Sequence, residues 1–349
     1  MKKLVNFGGN MKNVLIWIIK AVFAAICSVV ILSAFCLLYN YEGIHIKTES
    51  GATDYNWESG QFKSTMKEGF SWINVDKYGY NNANDNSKSP DILLMGSSHV
   101  EGLQVKLTEN MGYLLDELLD NLSVYNIGMS GHTVYRCVDN LENAVKAYNP
   151  KKYVVILIDG VKLDEASMQQ VINGDAMPIP SYSSGIMYAT QKIPFIKSAY
   201  NQLSEWVSLD AKRNNDDNTQ EAESSQDAET EIEKSYTDTL SEFLDKAKDS
   251  VSDNCKLVIV SQSLQSLDES GKTVYSDDKE MLDVFSSLCK EKGVAFCSLT
   301  SSFEKLYKEK NILAHGFSNT AVGAGHLNKH GHRVTAETIA DLIDELEKE

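Results

Sequence analysis

Three short segments of this 349-residue chain combine apolar runs with small polar residues that could support chemistry. In the first, the apolar run 92–95 leads into Gly96-Ser97-Ser98-His99. A serine hydroxyl exposed at a tight turn after a strand can act as a nucleophile. The N–H groups of a helix that begins there can stabilise an oxyanion. Gly-Ser-Ser is also common as a plain turn and helix cap, so this segment alone allows either interpretation.

The second segment, Asn126-Ile127-Gly128-Met129-Ser130-Gly131, overlaps the end of the apolar run 124–127. Glycines in such a loop let the backbone approach a ligand closely, and the Gly131 N–H is a candidate oxyanion donor. A plain strand-to-helix loop would have the same composition, so both interpretations stay open for this segment taken alone.

The third segment runs from Gly325 to His332 and opens the last predicted helix. His326 is a candidate general base for Ser98. An N-cap cluster and a metal site are the alternatives, but the stretch has no acid or cysteine to complete a metal site. The sequence therefore predicts neither a metal nor another cofactor, and we expect His330 and His332 to be structural.

These segments lie within a regular alternation of short apolar strands and amphipathic helices. Uniformly apolar strands that alternate with helices are typical of a parallel sheet covered on both faces. The sequence therefore predicts a doubly wound α/β domain with about five parallel strands. Strands are expected at 92–95, 124–127, 153–158, 257–260 and 294–297, and helices at 110–119, 134–148, 195–207, 239–247, 279–290 and 334–346.

The predicted α/β domain, residues 91–349, contains an insertion at 164–236. Residues 214–231 of the insertion hold seven acids and no base, so burial cannot offset their ordering entropy and we expect a mobile acidic loop. The part before it, 163–207, is placed to cap an active site, because ligands bind at the carboxyl ends of the strands. Residues 39–90 are polar and aromatic and predict a connecting arm with a hairpin.

Residues 14–38 are apolar apart from Lys20. At about 1.5 Å per residue, this segment is long enough to cross a bilayer core of about 30 Å as one transmembrane helix. Lysines precede the span and none follows directly, which predicts a cytoplasmic tail at 1–13 and an extracytoplasmic domain. A cleaved signal peptide and a lipoprotein are the alternatives. The span lacks a good cleavage site and has no small residue before Cys27 or Cys36.

The formal net charge of −16 is unevenly distributed. The first 41 residues carry four lysines and no acid, so the rest of the chain carries −20. A surface this acidic repels phosphate backbones and argues against nucleic acid as a partner. Six cysteines in a chain of this length do not indicate a disulfide framework.

In order and in position relative to the strands, the three segments resemble motif blocks of the SGNH (GDSL-like) hydrolase superfamily. The resemblance covers roughly residues 90–165 and 250–345 and implies the flavodoxin-like fold of that superfamily behind one transmembrane helix. The matching residues are Gly96-Ser97-Ser98 for the block Gly-Asp-Ser; Asn126, Gly128, Ser130 and Gly131 for Asn-x-Gly-x-Ser-Gly; and His326, Leu327, Asn328, Gly331 and His332 for the last block.

The resemblance implies roles for these positions. Ser98 would be the nucleophile and His326 the base, and the N–H groups of Ser98 and Gly131 would hold the oxyanion. Asn126 and Asn328, together with Asp159, are supporting candidates.

Two positions depart from the superfamily pattern. The third block, Gly-x-Asn-Asp, is replaced by Ile158-Asp159-Gly160-Val161-Lys162, so its oxyanion asparagine is missing and an ionised Asp159 there would oppose an oxyanion. The aspartate that normally stands three residues before the histidine is replaced by Gly323. A Ser–His dyad is left, or a triad completed by an acid from elsewhere, with Asp159 and Asp164 as candidates.

A single N-terminal anchor ahead of such a domain resembles bacterial membrane-anchored proteins that help to place D-alanyl or acetyl esters on cell-surface polymers. The resemblance implies an extracytoplasmic serine O-acyltransferase or esterase with an acyl-enzyme at Ser98. The implied partners are an acylated cell-surface polysaccharide or teichoic-acid-like polymer and a multi-span membrane acyltransferase. The alternatives are a non-catalytic scaffold subunit of a membrane acylation complex, which the two departures favour, and a deacylase that works without a partner.

Overall fold

The computed structural model describes residues 2–39, 43–47, 55–64, 68–83, 87–175, 177, 184–215, 226–252 and 254–348. The chain divides into two compact units. One comprises Met1–Tyr41 with Ser184–Thr219, and the other Glu42–Ser183 with Gln220–Glu349. The second unit contains both the α/β domain and the arm. From the sequence, the arm was expected to be a connecting segment separate from that domain.

Short apolar segments form the central strands, because side chains that point to both sides of a parallel sheet are buried. Every residue of the strand that precedes Ser98 is buried. The strands in chain order are β1 (His45–Lys47), β2 (Tyr55–Trp57), β3 (Gly60–Ser64), β4 (Ser71–Val75), β5 (Ile92–Gly96), β6 (Val124–Asn126), β7 (Tyr153–Asp159), β8 (Lys256–Gln262), β9 (Gln265–Leu267), β10 (Thr273–Tyr275) and β11 (Ala295–Ser298).

Five of these strands form one parallel sheet in the order β6-β5-β7-β8-β11. The register pairs Leu93 of β5 with Tyr125 of β6 and Val154 of β7. The prediction of a doubly wound α/β fold with a five-stranded parallel sheet is confirmed. The chain passes from β5 first to one side and then to the other, so the carboxyl end of β5 is the switch point where such sheets bind ligands.

Several helices begin at a side chain that caps free amide groups, as Asn328 does for the last one. The helices in chain order are α1 (Lys2–Tyr39), α2 (Ser98–Glu101), α3 (Met111–Leu118), α4 (Val134–Asp139), α5 (Leu141–Tyr148), α6 (Glu165–Asn173), α7 (Gly185–Gln191), α8 (Pro194–Asn215), α9 (Gln226–Asp249), α10 (Lys279–Lys292), α11 (Thr300–Lys310) and α12 (Lys329–Leu346).

The core between the sheet and the helices fixes the elements that carry the predicted site. Leu94, Val155 and Val258 from the sheet share one buried cluster with Phe303 of α11 and Ile339 of α12. Burial of each such side chain contributes about 1.5–3 kcal/mol. This packing holds the carboxyl end of β5 and the start of α12 in place.

Two helical segments differ from the sequence-based prediction. Residues 134–148 form two helices, α4 and α5, that meet at Asn140, a residue type that competes with helical hydrogen bonds. Residues 214–215 and 226–231 of the acidic segment are helical where the sequence predicted a loop, and residues 216–225 lie outside the described part. Helix α9 extends into this segment because adding a residue to an existing helix needs no new nucleus.

The smaller unit contains α1 together with α7 and α8. Within the described residues, α1 is the one helix long and apolar enough to cross a membrane, over Met11–Leu37. Residues 184–207, part of the segment expected to cap the active site, belong to this unit and not to the α/β unit.

Candidate active site

Ser98 lies at the switch point, where β5 ends and α2 begins. The Ser97 hydroxyl caps α2 by accepting a hydrogen bond from the His99 N–H at 3.4 Å. The Ser98 Oγ lies 2.7 Å from the Nε2 atom of His326. At this distance an imidazole can accept the hydroxyl proton. The structure thus brings together the two residues that the sequence offered as nucleophile and base.

Glu68, a residue of the arm, occupies the other side of the imidazole. Its Oε2 lies 2.5 Å from His326 Nδ1 and accepts a hydrogen bond from the His326 N–H at 2.7 Å. A carboxylate at Nδ1 favours the tautomer whose bare Nε2 faces the serine. The side chains of His326 and Glu68 are 27% and 23% exposed, so solutes can reach this end of the site.

Glu68 can approach His326 because glycine occupies position 325. Gly325 has φ +99°, and a Cβ there would come within 2.7–2.8 Å of the Glu68 carboxyl group. Only glycine adopts this backbone conformation without strain and leaves this space free. On the arm side, the Gly69 N–H donates to Asn319 Oδ1 at 3.1 Å and fixes the turn.

Sequence analysis missed Glu68, which lies outside every motif block. The only local feature at this position is an acidic residue followed by a glycine, and that pair is too common in sequences to indicate a catalytic acid. Glu68 occupies the position beside His326 for which the sequence suggested Asp159 or Asp164 as candidates. Asp159 Oδ1 instead accepts from Gln262 Nε2 at 2.5 Å, and Asp164 Oδ2 caps α6 by accepting from the Ser167 N–H at 2.8 Å.

Asn328 fixes the chain on the other side of His326. Its Oδ1 caps α12 by accepting from the N–H groups of His330 at 2.9 Å and Gly331 at 3.2 Å. Its Nδ2 donates to the Leu313 carbonyl at 2.8 Å. Asn328 therefore lies near the reacting groups in sequence and contributes by holding the start of α12.

His99 packs against His326, with ring centroids 4.8 Å apart. Its Nδ1 accepts a hydrogen bond from the Leu327 N–H at 3.2 Å, which places the proton of the neutral ring on Nε2. Burial lowers the pKa of His99 well below its usual value. A neutral ring therefore lies beside His326 and ties the segment after it to α2.

Asn126 connects the glycine loop to α2. Its Nδ2 donates to the Val100 carbonyl at 2.8 Å, and its Oδ1 accepts from the Gly128 N–H at 2.8 Å. A Cβ at Gly128 would lie 2.6 Å from Val100, so the loop packs directly on α2. Asn126 is buried and acts by positioning the loop.

The Gly131 and Ser98 N–H groups are the candidate oxyanion donors. The loop that leads to Gly131 extends the sheet, because the Met129 N–H donates to the Gly96 carbonyl at 3.0 Å. Within the described residues, neither candidate N–H has a hydrogen-bond acceptor. Both groups therefore remain able to bind an oxygen of a substrate.

Glu101 is a buried carboxylate that joins α2, the glycine loop and the arm. Its Oε2 accepts from the Ser130 N–H at 2.9 Å and from the Ser130 hydroxyl, and its Oε1 accepts from Trp57 Nε1. The Tyr55 hydroxyl donates to the Ser130 carbonyl at 3.3 Å. Burial raises the pKa of Glu101, while these donors oppose the shift. No motif in the sequence indicated this role.

The segment that replaces the third motif block is held by side-chain hydrogen bonds. The Gln262 amide donates to Asp159, and its Oε1 lies 3.2 Å from His315 Nε2. Burial lowers the pKa of His315 to about 4, so this ring is neutral and donates to Gln262. The Asp159 carboxylate is therefore engaged by an amide at the end of β7.

His332, which the sequence placed among the structural groups, joins α12 to α3. Its Nδ1 accepts from the Met111 N–H at 3.2 Å. Burial lowers the pKa of His332 to about 3 and keeps it neutral. His330 is partly exposed. Its pKa is lowered mainly by burial and, to a smaller extent, by the positive charges of Lys329 and Lys310.

A cavity of about 340 Å³ adjoins the Glu68 turn. Its lining includes Gly69, Gln104 and Phe317, together with the cationic side chains of Lys106 and Lys329 and the acidic side chain of Glu109. Two basic side chains and one acidic side chain therefore line the cavity.

The arrangement of strands and side chains decides the fold type. When the five strands of the parallel sheet are numbered in chain order, they lie side by side in the order 2-1-3-4-5, which is the flavodoxin-like order. Ser98 follows the first strand, Gly131 follows the second, and His326 precedes the last helix. This order and these placements are those that the resemblance to the SGNH (GDSL-like) hydrolases implies. In this SGNH-like domain an imidazole connects a serine hydroxyl with a carboxylate, an arrangement suited to nucleophilic acyl transfer.

Several solved structures are similar to the SGNH-like domain. TesA is 12% identical, with coverage of 73% of this chain and 98% of TesA, at a TM-score of 0.36. A member of the lipolytic protein G-D-S-L family from Veillonella parvula is 14% identical, with coverage of 72% and 96%, at a TM-score of 0.36. The acetyl xylan esterase AlAXEase is 12% identical, with coverage of 72% and 98%, at a TM-score of 0.39.

No protein family model matches the chain, and no curated protein matches it. The assignment of the SGNH-like fold therefore rests on the sheet order and on the places of the motif residues, not on these similarities.

Proposed function

We propose that this chain is a membrane-anchored serine O-acyltransferase or esterase that acts on acetyl or D-alanyl esters of cell-surface polymers. The observation that carries the proposal is the position of His326 between Ser98 Oγ at 2.7 Å and Glu68 Oε2 at 2.5 Å. A serine, an imidazole and a carboxylate in this order form the arrangement that activates serine for attack on an ester.

In the first half of the reaction, Ser98 Oγ attacks the ester carbonyl and His326 Nε2 accepts the hydroxyl proton. The carbonyl oxygen becomes an oxyanion, which the N–H groups of Ser98 and Gly131 stabilise. When the oxyanion collapses, the ester C–O bond breaks and His326 returns the proton to the leaving alcohol. The acyl group is then held on Ser98, and Glu68 stabilises the imidazolium that forms on the way.

In the second half, a hydroxyl group of the acceptor polymer attacks the acyl-serine and gives its proton to His326. The Ser98 oxygen leaves with that proton, so the free enzyme is restored. Water in place of the polymer hydroxyl gives hydrolysis by the same steps. Transfer and hydrolysis therefore differ in which nucleophile reaches the acyl-enzyme.

The proposed setting is the cell membrane, with the N-terminus in the cytoplasm and the SGNH-like domain outside. It is supported by the apolar stretch Met11–Leu37 of α1 and by the lysines that precede it. An anchor of this kind raises the effective concentration of the enzyme at membrane-bound or wall-bound substrates.

An anionic polymer is the substrate class that the cavity beside Glu68 favours. Lys106 and Lys329 bring two positive charges, against one acidic side chain at Glu109, to a domain that is otherwise strongly acidic. The same proposal includes a multi-span membrane acyltransferase as a partner that supplies the acyl group.

The scaffold alternative rested on the missing acid and the missing asparagine. Glu68 supplies a carboxylate at the imidazole, and Gln262 engages Asp159. The Glu68 contact answers the objection of the missing acid, and the Gln262 contact lessens the effect that the Asp159 charge would have on an oxyanion.

The test uses the full chain in membranes and in detergent, with the variants Ser98→Ala and His326→Ala. We expect a fluorophosphonate probe to label the wild-type chain and short aryl esters to be hydrolysed, with both signals lost in each variant. Absence of labelling in membranes as well as in detergent would support the scaffold. Labelling without any acyl transfer to isolated surface polymer would point to a deacylase.

A further inference from the structure

Helices α7 and α8 present an apolar surface beside the transmembrane candidate α1. Their exposed large side chains include Ile186 at 84% and Leu203 at 62%. Three of these side chains recur at helical spacing along one side of α8, Ile196, Tyr200 and Leu203, and the exposed Ile193 directly precedes the helix.

The start of α8 packs against the second half of α1 within the same compact unit. The Phe195 N–H, one of the amides that lack an acceptor at a helix start, lies 3.4 Å from Ser33 Oγ of α1. Ser33 and Cys36 are partly covered, whereas Phe35 and Leu37 are exposed. One side of α1 thus faces α8 and the rest faces outward.

This contact fixes the depth at which α8 begins. Ser33 precedes the end of the apolar stretch, Leu37, by four residues, which is about 6 Å along a helix. Amphipathic helices that lie on membranes bury their apolar side about 5–10 Å into the boundary between headgroups and acyl chains. The start of α8 is therefore level with that boundary whenever α1 spans the bilayer.

Residues at the edges of this surface have the chemistry of a membrane interface. The Lys192 ammonium group lies 4.9 Å from the centre of the Tyr188 ring. Lysine and tyrosine are the residue types that place an apolar body in the bilayer and a polar end in the headgroups. The apolar surface of α8 continues that of α1, which has no other described cover.

We propose that α7 and the first three turns of α8 form an amphipathic element that inserts into the outer leaflet of the bilayer that α1 spans. The protein then has a second, monotopic membrane contact in addition to its anchor. The inference rests on the membrane anchoring in the proposed function, and the occupant of the apolar surface is lipid acyl chains.

The test places a photoreactive benzophenone amino acid at one position of the full chain at a time. Ile196 and Leu203 report on the proposed lipid-facing side, and the exposed Gln202, about 100° around the helix axis from Leu203, is the polar control. Phe23, 67% exposed in the middle of α1, reports on the anchor itself. The chain is reconstituted into vesicles of phosphatidylethanolamine and phosphatidylglycerol with alkyne-tagged acyl chains and is then irradiated.

We expect lipid labelling at positions 196 and 203 to match that at position 23 and to exceed that at position 202 by about tenfold. Labelling at 196 and 203 as low as at 202, with strong labelling at 23, would overturn the inference and leave the anchor intact. Weak labelling at 23 as well would remove the anchoring on which it rests. In native membranes, cross-links from 196 and 203 to a protein instead of lipid would also overturn it.

Fluorophosphonate labelling of Ser98 in the same samples is an independent measurement. It reports whether the SGNH-like domain is folded and active, so failure of the proposed chemistry is distinguishable from failure of the membrane contact.

Discussion

The Nδ1 atom of His326 lies 2.5 Å from the Oε2 atom of Glu68, a residue 258 positions earlier in the chain. The acid that orients the imidazole therefore comes from the segment between the anchor and the sheet, not from the loop that carries the histidine. A domain without this segment would lose the carboxylate that completes the site.

Glu68→Gln should lower kcat for aryl ester hydrolysis by about 10³-fold or more, with KM nearly unchanged. The amide carries no charge to stabilise the imidazolium and can present an N–H to Nδ1, which favours the wrong tautomer. The matched control is Asp164→Asn, the other candidate acid, because asparagine caps a helix as well as aspartate does. Steady-state kinetics decide, and equal effects of the two substitutions would contradict the role of Glu68.

Gly325→Ala should reduce kcat by about 10–100-fold, because a Cβ at this position displaces the Glu68 carboxyl group. The control is Gly271→Ala. Gly271 has a similar positive φ of +80° but nothing within 4 Å of the added Cβ. Both variants carry about 1–2 kcal/mol of backbone strain, so thermal unfolding should shift in each. Equal loss of activity in both variants, or no loss in either, would contradict the inference that glycine at position 325 makes room for Glu68.

Glu101→Gln should destabilise the protein by about 1–3 kcal/mol. A glutamine has one acceptor oxygen, whereas the carboxylate accepts from Trp57 on one oxygen and from Ser130 on the other. We also expect kcat to fall more than KM rises, because the loop with Gly131 is less firmly held. Glu142→Gln, at an exposed ion pair, is the control and should change neither the unfolding midpoint nor the kinetics.

The protein should lose stability as the pH falls below about 6.5. Burial holds the pKa of His132 and His332 at about 3 and that of His315 at about 4, below the value of 6.5 for an unperturbed histidine. Between these values the unfolded chain binds protons that the folded chain does not bind. Each histidine then contributes a slope of about 1.4 kcal/mol per pH unit, so the three contribute about 4 kcal/mol per unit.

Glu101 acts in the opposite direction, since burial raises its pKa, but one carboxyl group does not outweigh three histidines. Thermal unfolding of the full chain in detergent at pH 7.5 and 5.5 measures the slope. The partly exposed His330 is the control, and His330→Gln should leave the slope nearly unchanged. A midpoint that is the same at both pH values would contradict this account.

Much of the fold followed from the sequence because its signals are local. Each apolar run of four to six residues, such as 92–95, marks one strand of the sheet, and the small polar residues that follow mark the edge where ligands bind. Ser98, Gly131 and His326 were found in this way, since each lies in a segment that follows a strand or leads into a helix. The break at Asn140 was missed because one residue decides it and the apolar periodicity continues across it.

The sequence by itself determined the parallel sheet, the apolar span and the three motif segments, because each depends on the spacing of residues within one stretch of chain. Only the tertiary structure decided which acid meets His326 and which helix packs beside α1. Both contacts join stretches more than 150 residues apart. They depend on the space left by the missing side chain at Gly325 and on the Ser33 hydroxyl, which accepts a hydrogen bond from the Phe195 N–H.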